Sequence, residues 1–446
     1  MAAMTATEAA AAIRAGSLTS VDLVRSCLNR IEALEPSIGA WTFLDPAYAL
    51  AQAEAADRKR EAGAALGPLH GVPVGIKDIF DTADMPTENG TIVHAGRTPI
   101  EDAAAVALLR RAGAVILGKT VTTELAVYAP GKTRNPASPG HTPGGSSSGS
   151  AAAVAAGMVP LAIGSQTNGS VVRPASYCGV VGYKPTRGLA SLYGALSQSK
   201  SLDTIGVFAT TVADAALIAE SLMGFDERDP ELRMRGRSTL TETAAADVPV
   251  APRLALVRTP LWDRLETDAA KALESFAQRF PFVAEAALPD WAAKGLDWHR
   301  MILEADLARS FATEYERGRD RLSSVLCGMI ERGQTHRAVD YNDAQDGAAR
   351  LRDAIADVLR SCDAILTPAT TGTAPRGLES TGNPIFCTLW TLAGVPALSL
   401  PLLNGQNGLP LGIQLIGRRG DDARLLRTAR WLSEIAASAS SEGRST

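Results

Sequence analysis

The segment GGSSSGSAAAVAAGMVPLAIGSQTNGSVVRPAS, residues 144–176, joins two loops rich in glycine and serine through one helix and one strand. Its apolar pattern predicts a helix over residues 147–157, about 15 Å long, and a strand over residues 159–163, about 16 Å long. Because the two lengths match, the helix would leave the first loop and the strand would return beside it. Ser146 and Ser170 would then lie side by side at one edge of a sheet, where α/β folds place their active sites.

Outside this segment, short apolar runs bounded by turn residues alternate with helical patterns. The runs predict strands at 72–76, 115–117, 254–257 and 364–366, and the patterns between them predict helices at about 103–112, 212–222, 267–278 and 340–360. This alternation is typical of an α/β fold in which helices cover both faces of a buried sheet.

The two ends of the chain have simpler patterns. Gly16 ends a first predicted helix, and residues 19–22 resemble a capping box that begins a second. We expect these helices to form a packing layer over residues 1–64. Three further divisions are predicted: a catalytic core over about 65–430, a polar surface stretch at 226–252 and a disordered tail at 438–446.

Composition excludes several classes of protein. The chain has 446 residues, of which 46% are hydrophobic and 21% charged, and its net charge is −4. These values exclude disordered and coiled-coil proteins, and the interspersed charges favour neither a nucleic acid nor an anionic membrane as partner. The apolar run at 151–163 is too short to span a bilayer. Five cysteines without a C-x-x-C pair, and the lack of a basic leader, predict a cytoplasmic protein with reduced thiols.

The glycine and serine loops are open to several interpretations. A phosphate cradle is disfavoured because neither a Walker ending nor a G-x-G-x-x-G motif is present. Ser147 is the centre of a G-x-S-x-G match, but a nucleophile elbow must follow a strand, and the preceding residues contain three prolines. A mobile surface loop would explain either loop alone. It would not explain why the two are joined by matching elements.

A serine nucleophile requires a base, and two candidates lie within reach in the sequence. His141 precedes Ser146 by five residues, on a segment rich in proline and glycine that offers no rigid support. Lys77 ends the apolar run HGVPVGIKD, where a solvated charge is unexpected. Burial would lower the pKa of this lysine and make it a base. A structural ion pair between Lys77 and Asp78 is the alternative.

Three motifs together resemble the amidase-signature family: GIKD at 75–78, GGSSSGS at 144–150 and GSQTNGS at 164–170. The resemblance implies a single domain over 1–446 with a central twisted, mixed sheet, and a Ser-cisSer-Lys triad without metal or organic cofactor. The triad would comprise Lys77, Ser146 and the nucleophile Ser170, with a cis peptide before Ser146. An oxyanion hole would be formed by the backbone amides of Thr167, Asn168, Gly169 and Ser170.

The nucleophile loop departs from the usual pattern of that family. Most members have glycine at the position of Asn168, and the A subunit of the tRNA-dependent amidotransferase has aspartate at the position of Gln166. Arg173 follows the nucleophile by three residues, as in malonamidase-like bacterial amidases, where the equivalent arginine binds a substrate carboxylate. The resemblance therefore implies substrate binding by Arg173, Gln166 and Gly145. The alternative for Arg173 is a brace that holds the loop through backbone carbonyls.

The resemblance implies an amidohydrolase that cleaves the C–N bond of a small amide, one carrying a carboxylate, through an acyl-enzyme on Ser170. Two alternatives remain open. The chain could be the A subunit of a tRNA-dependent amidotransferase, which needs partner subunits, or a catalytically silent binding subunit. A homodimer is compatible with either enzymatic interpretation.

Overall fold

A computed structural model describes residues 4–232 and 239–442. Within these residues eleven strands form one mixed sheet. The strands are β1 Trp41–Leu44, β2 Pro73–Lys77, β3 Val115–Thr120, β4 Leu161–Gln166, β5 Val181–Lys184, β6 Thr204–Ala209, β7 Leu254–Arg258, β8 Val283–Ala287, β9 Ala364–Pro368, β10 Ala397–Asn404 and β11 Pro410–Ile416.

The sheet places the strands in the order β1-β3-β2-β4-β6-β5-β10-β11-β9-β7-β8. Strands β3, β2 and β4 are parallel to one another, as are β9, β7 and β8. The remaining neighbours pair antiparallel. The predicted mixed sheet is confirmed.

Fifteen α-helices occur within the described residues. They are α1 Ala6–Ala15, α2 Ser20–Ile38, α3 Pro46–Glu61, α4 Ala104–Arg111, α5 Ser148–Ala155, α6 Val172–Cys178, α7 Val212–Ser221, α8 Leu240–Ala245, α9 Thr267–Gln278, α10 Gly295–Ser310, α11 Ala312–Gly318, α12 Ser324–Gly333, α13 Ala338–Val358, α14 Ile385–Ala393 and α15 Asp422–Glu442. None of them is long and apolar enough to cross a membrane.

Both faces of the sheet are buried, as the near-continuous apolar runs of the strands predict. In β7, Leu254 and Leu256 belong to one hydrophobic cluster, whereas Ala255 and Val257 belong to another. The first cluster also contains residues of α1, α4, α7, α9 and α15. Helices α10, α12, α13 and α14 cover the other face at this end, and α2, α3, α5 and α6 cover it at the opposite end. The predicted α/β fold is therefore confirmed.

Every predicted strand and helix is present, but several boundaries differ, and six of the eleven strands were not predicted. The predicted strand at 159–163 begins later and extends to Gln166 as β4, so the residues just before the second loop belong to the sheet. The missed strands include VGYK in β5 and TIGVFA in β6, where glycine, lysine and threonine interrupt the apolar pattern. These polar side chains are buried because they find hydrogen-bond partners elsewhere in the fold.

The chain ends also differ in part from expectation. Gly16 ends α1 in a left-handed conformation, as predicted, and the Thr19 side chain accepts a hydrogen bond from the backbone N–H of Asp22 at the start of α2. The last helix continues to Glu442, so the tail predicted from 438 begins too early, and residues 443–446 lie outside the described range. The surface stretch at 226–252 contains α8, while its residues 233–238 are likewise outside that range. The division at residue 64 stays a prediction.

Candidate active site

Lys77 is the last residue of β2, and its side chain is fully buried. Its Nζ lies 2.7 Å from Ser146 Oγ and 2.9 Å from Ser165 Oγ. The neighbouring Asp78 carboxylate is paired instead with Lys119, at 3.2 Å. The alternative of a structural Lys77–Asp78 ion pair is therefore wrong, and the Lys77 amine contacts only hydroxyl groups among the described residues.

The environment of Lys77 favours a neutral amine. Complete burial lowers its pKa well below the ordinary value of 10.5, and the carboxylate of Asp203 opposes the shift only in part. A neutral amine carries a lone pair, so Nζ can accept the proton of the Ser146 hydroxyl. Lys77 thus has the properties of a general base.

The first glycine and serine loop presents Ser146 to this lysine. The peptide bond between Gly145 and Ser146 is cis, as the resemblance implied. Ser147 is fully buried, and its hydroxyl is hydrogen-bonded to the backbone of Ser165, so it cannot act as the nucleophile of an elbow. His141 is hydrogen-bonded to Ser138 within its own turn. Both rival interpretations of this loop therefore lack structural support.

The second loop runs from the end of β4 into α6. Strands β2 and β4 are parallel neighbours, so their carboxyl ends reach the same edge of the sheet. Within the described residues, no group accepts a hydrogen bond from the backbone N–H groups at 167–170. The Ser170 hydroxyl likewise has no hydrogen-bond partner there and is about one-tenth exposed, at 8%. A loop of unpaired amides around a free hydroxyl is suited to an oxyanion.

The carbonyls of the first three of these residues, in contrast, are occupied. The Thr167 carbonyl accepts a hydrogen bond from His299 Nε2 at 2.9 Å, the Asn168 carbonyl accepts one from the Thr391 hydroxyl, and the Gly169 carbonyl accepts one from the backbone N–H of Arg173. Because a peptide unit is planar, fixing a carbonyl also fixes the direction of the following N–H. The bonds to these carbonyls therefore fix the orientation of the N–H groups that follow them.

Gln166 belongs to this support through bonds to protein groups, and its expected role in substrate binding stays a prediction. The side chain is fully buried. Its Oε1 accepts hydrogen bonds from the backbone N–H groups of Val171 and Val172, at 2.9 and 3.0 Å, and its Nε2 donates to the Thr391 hydroxyl. The amide thus caps the start of α6, directly behind Ser170.

Asp203 and His299 are functional residues that the motif analysis missed. The Asp203 carboxylate accepts hydrogen bonds from the Thr167 hydroxyl at 2.6 Å and from the backbone N–H groups of Gln198 and Ser199. Burial raises the pKa of Asp203 to about 6. Asp203 ends the segment SLD just before β6, and this short motif was a usable signal in the sequence. His299 is 132 positions from its partner Thr167, and the sequence contains no signal of their contact.

Arg173 is buried on the first turn of α6, and the two terminal nitrogens of its guanidinium donate to backbone carbonyls, whereas its Nε has no partner among the described residues. Arg173 donates hydrogen bonds to the carbonyl of Thr381 at 2.7 Å, to the carbonyl of Gly382, and to the carbonyl of Gly145 at 2.6 Å. These contacts are those of the bracing alternative. The Gly145 carbonyl is used in the same brace, and the expected substrate binding by Gly145 and Arg173 stays a prediction.

Asn168 faces a cavity of about 570 Å³ beside the nucleophile loop. Its Nδ2 donates a hydrogen bond to the Tyr128 hydroxyl at 3.1 Å, and its Oδ1 accepts one from the Thr388 hydroxyl at 2.8 Å. Asn168 is not among the described residues with a positive φ. The departure from glycine therefore supplies a side-chain contact and leaves the backbone in an ordinary conformation.

No cluster of three histidine, cysteine or acidic residues that could hold a metal ion occurs within 4–232 and 239–442. The chemistry that the described residues themselves offer is acyl transfer. A buried amine, a hydroxyl bonded to it, a second hydroxyl without a partner and a row of unpaired amides are the kinds of group that acyl transfer uses.

Comparison with known proteins agrees with this chemistry. The Amidase family profile matches residues 22–426. The A subunit of glutamyl-tRNA(Gln) amidotransferase from Chloroflexus aggregans is 35% identical, over 95% of this chain and 94% of that protein. The corresponding protein of Lachnospira eligens is 34% identical, over 93% and 94%.

Solved structures share the fold over almost the whole chain. Native peptide amidase from Stenotrophomonas maltophilia is 31% identical, with a TM-score of 0.84 over 98% of this chain and 97% of that one. A chain from a vestigial protein complex related to the origins of an s-triazine catabolic enzyme is 28% identical, with a TM-score of 0.91 over 97% and 98%.

Proposed function

The chain belongs to the amidase family, and we propose that it cleaves the C–N bond of a small amide by acyl transfer to Ser170. The observation that carries this proposal is the buried amine of Lys77, 2.7 Å from the Ser146 hydroxyl and free of any carboxylate partner among the described residues. Such an amine is neutral at a lower pH than an ordinary lysine and can start proton transfer.

The proposed reaction moves one proton through two hydroxyls. Ser170 Oγ attacks the amide carbonyl carbon, its proton passes to Ser146 Oγ, and the Ser146 proton passes to Lys77 Nζ. The amides at 167–170 stabilise the oxyanion, an effect commonly about 2.7–4 kcal/mol per donor. When the tetrahedral intermediate collapses, Lys77 returns the proton through Ser146 to the leaving nitrogen, and an ester on Ser170 remains. Attack of water on that ester completes hydrolysis by the same path in reverse.

The adjacency of Ser146 and Ser170 is part of this proposal. It is supported by the common sheet edge that β2 and β4 reach and by the bond between Ser146 and Lys77. A third observation in its favour is that α5 and β4 connect the two serine loops as outward and returning elements.

A second function, that of an amidotransferase A subunit, is favoured by the curated relatives in the comparison, which carry that name; the two described above are 35 and 34% identical over more than nine-tenths of the chain. In that case the ammonia released from the amide would pass to an acceptor held by partner subunits. Peptide amidase and 6-aminohexanoate cyclic dimer hydrolase, among the structural neighbours, favour hydrolysis. Both functions use the same first step on Ser170.

The purified chain alone distinguishes the two. A hydrolase releases ammonia from primary amides at a rate proportional to its own concentration, without any added protein. Ammonia release that requires a cell extract or a second polypeptide would favour the amidotransferase function, and no release under either condition would favour a silent binding subunit.

Covalent chemistry tests the role of Ser170 directly. A fluorophosphonate should form an adduct that peptide mapping places on Ser170, and Ser170→Ala should lose both the adduct and ammonia release. Hydroxylamine added during turnover should yield the hydroxamate of the acyl group, because it competes with water for the acyl-enzyme. An adduct on Ser147 in place of Ser170 would refute the proposed nucleophile.

A further inference from the structure

The cavity beside Asn168 has a polar end and an apolar wall. Tyr128, His299 and Thr388 lie with Asn168 at the polar end, and the wall includes Leu303, Val325 and Met329. Asn168 is two residues before Ser170, so the polar end adjoins the nucleophile loop. A substrate whose scissile carbonyl is at the loop would place its next functional group among these side chains.

One ring nitrogen of His299 is hydrogen-bonded within the protein, and the other is not. Its Nε2 lies 2.9 Å from the carbonyl oxygen of Thr167, which can only accept, so Nε2 carries the hydrogen. Burial lowers the pKa of His299 to about 4, and the ring is neutral at neutral pH. Nδ1 is then a hydrogen-bond acceptor, and it has no partner among the described residues.

Tyr128 has the complementary property. Its hydroxyl oxygen accepts a hydrogen bond from Asn168 Nδ2 at 3.1 Å. Asn168 Oδ1 in turn accepts a hydrogen bond from the Thr388 hydroxyl at 2.8 Å, which leaves Nδ2 as the donor to Tyr128. The hydrogen of the Tyr128 hydroxyl therefore has no acceptor among the described residues, and it can donate to a ligand.

The charged groups around the same cavity are already neutralised. Arg332 is paired with Glu304 at 2.6 Å, and Arg300 is paired with Asp297 at 2.8 Å. Arg173 is not among the residues that line this cavity, and its two terminal nitrogens donate to backbone carbonyls. A carboxylate, which only accepts hydrogen bonds, would confront the lone pair of His299 Nδ1. A neutral group with an N–H and a C=O matches both the acceptor His299 Nδ1 and the donor hydroxyl of Tyr128.

We propose that His299 and Tyr128 select substrates that carry a second carboxamide or ureido group next to the scissile amide, with His299 Nδ1 accepting its N–H and the Tyr128 hydroxyl donating to its C=O. This inference rests on the proposed amide-cleaving function and names the substrate class of that site. It replaces the carboxylate expected from the position of Arg173.

Three isosteric primary amides test the proposal. Succinamide carries a second carboxamide, succinamate carries a carboxylate in the same place, and 4-methylpentanamide carries an isopropyl group. The wild-type chain should show a kcat/KM for succinamide at least about 10-fold above that for either analogue, because the analogues leave buried polar groups unpaired. Higher diamides extend the series if the spacing between the two groups is longer.

Two variants assign the preference to the named atoms. His299→Gln keeps an N–H for the Thr167 carbonyl and removes the acceptor Nδ1, and Tyr128→Phe removes the donor. Each should lower the ratio of kcat/KM for diamide over isopropyl analogue by about 3- to 10-fold. Tyr193→Phe is the matched control: the Tyr193 hydroxyl bonds Glu101 on the surface, and its loss should leave the ratio unchanged.

The outcomes separate this inference from the function on which it rests. Hydrolysis of all three amides with equal kcat/KM, or a ratio unaltered in both variants, would overturn the carboxamide inference and leave the amidase. A preference for succinamate would overturn it too and assign the site to a carboxylate. No ammonia from any amide, in a chain that is folded, would overturn the proposed function itself.

Discussion

Replacement of Gln166 is the sharpest test of how the nucleophile loop is supported. Gln166 Oε1 is the acceptor for the backbone N–H groups of Val171 and Val172, and the side chain is fully buried. Gln166→Leu would leave both amides without a partner where water cannot reach them. Each such group costs about 1–3 kcal/mol, so the free energy of unfolding should fall by about 2–6 kcal/mol.

Gln166→Leu should also reduce the catalytic rate more than the affinity for the substrate. Ser170 directly precedes the two capped residues, and a displacement of about 1 Å in a reacting group can cost about 100-fold in rate. We therefore expect Gln166→Leu to lower kcat by about 10- to 100-fold with little change in KM. Gln166→Glu keeps two acceptor oxygens for the amides and loses only the donor to Thr391. Its kcat and its stability should lie between those of the wild type and the leucine variant.

Urea unfolding followed by circular dichroism measures the stability, and ammonia release from a saturating primary amide measures kcat. The reasoning would be refuted by a leucine variant with wild-type stability and kcat. It would also be refuted by a variant that raises KM alone, since that result would return Gln166 to substrate binding. Leu and Glu variants of equal, low activity would show that the donated bond to Thr391 matters more than the two accepted bonds.

Three further changes test the rest of the site. Lys77→Met should lower kcat by about 100- to 10,000-fold with the fold intact. In the wild type the rate should rise with pH to a plateau, because the Lys77 amine, whose pKa is lowered, is protonated at low pH and then cannot act as a base. A rate that is flat from pH 5 to 9 would contradict this role. Arg173→Met should reduce kcat/KM for succinamide and succinamate by the same factor, since a brace acts on both, whereas a selective loss for succinamate would restore carboxylate binding. Asp203→Asn should lower kcat at pH 8 by about 10-fold, because one of its two accepting oxygens becomes a donor. With the wild-type carboxyl titrating at about 6, the variant should also be less sensitive than the wild type to acidification through pH 6, and two profiles of identical shape would contradict that role.

The residues that could be predicted are those whose positions follow from local pattern. Lys77 ends a run of apolar residues, and an apolar run of this length is a buried strand whose last side chain lies at the sheet edge. The helix and the strand between the two loops follow from the same local rules, but α5 has 8 residues and β4 has 6, so their lengths of about 12 and 20 Å are not equal as expected. The motif resemblance then assigned roles to Ser146 and Ser170 and implied the cis peptide that the structure contains.

The structural partners of two predicted site residues could not be read from the sequence. Gln166 and Arg173 are polar residues beside a nucleophile, and proximity in the sequence suggested substrate binding. Their partners include Thr391 and the carbonyls at 381–382, more than 200 positions away. A single sequence does not indicate which backbone groups the fold brings to a side chain. Buried polar groups need permanent hydrogen-bond partners, however, and this requirement outweighs a contact with a ligand that is bound only part of the time.

The same requirement explains why the support of the nucleophile loop comes from so many parts of the chain. An oxyanion hole needs N–H groups that have no partner in the resting protein, and a loop that leaves them unpaired has no hydrogen bonds of its own to hold its shape. Its stiffness must therefore come from its carbonyls and side chains. His299 on α10 holds the Thr167 carbonyl, Thr391 on α14 holds the Asn168 carbonyl, and Asp203 before β6 holds the Thr167 hydroxyl. Three elements distant in sequence each fix one part of the loop, so the amides remain both free and aligned, and a substitution at any of these three positions should act on kcat by displacing those amides.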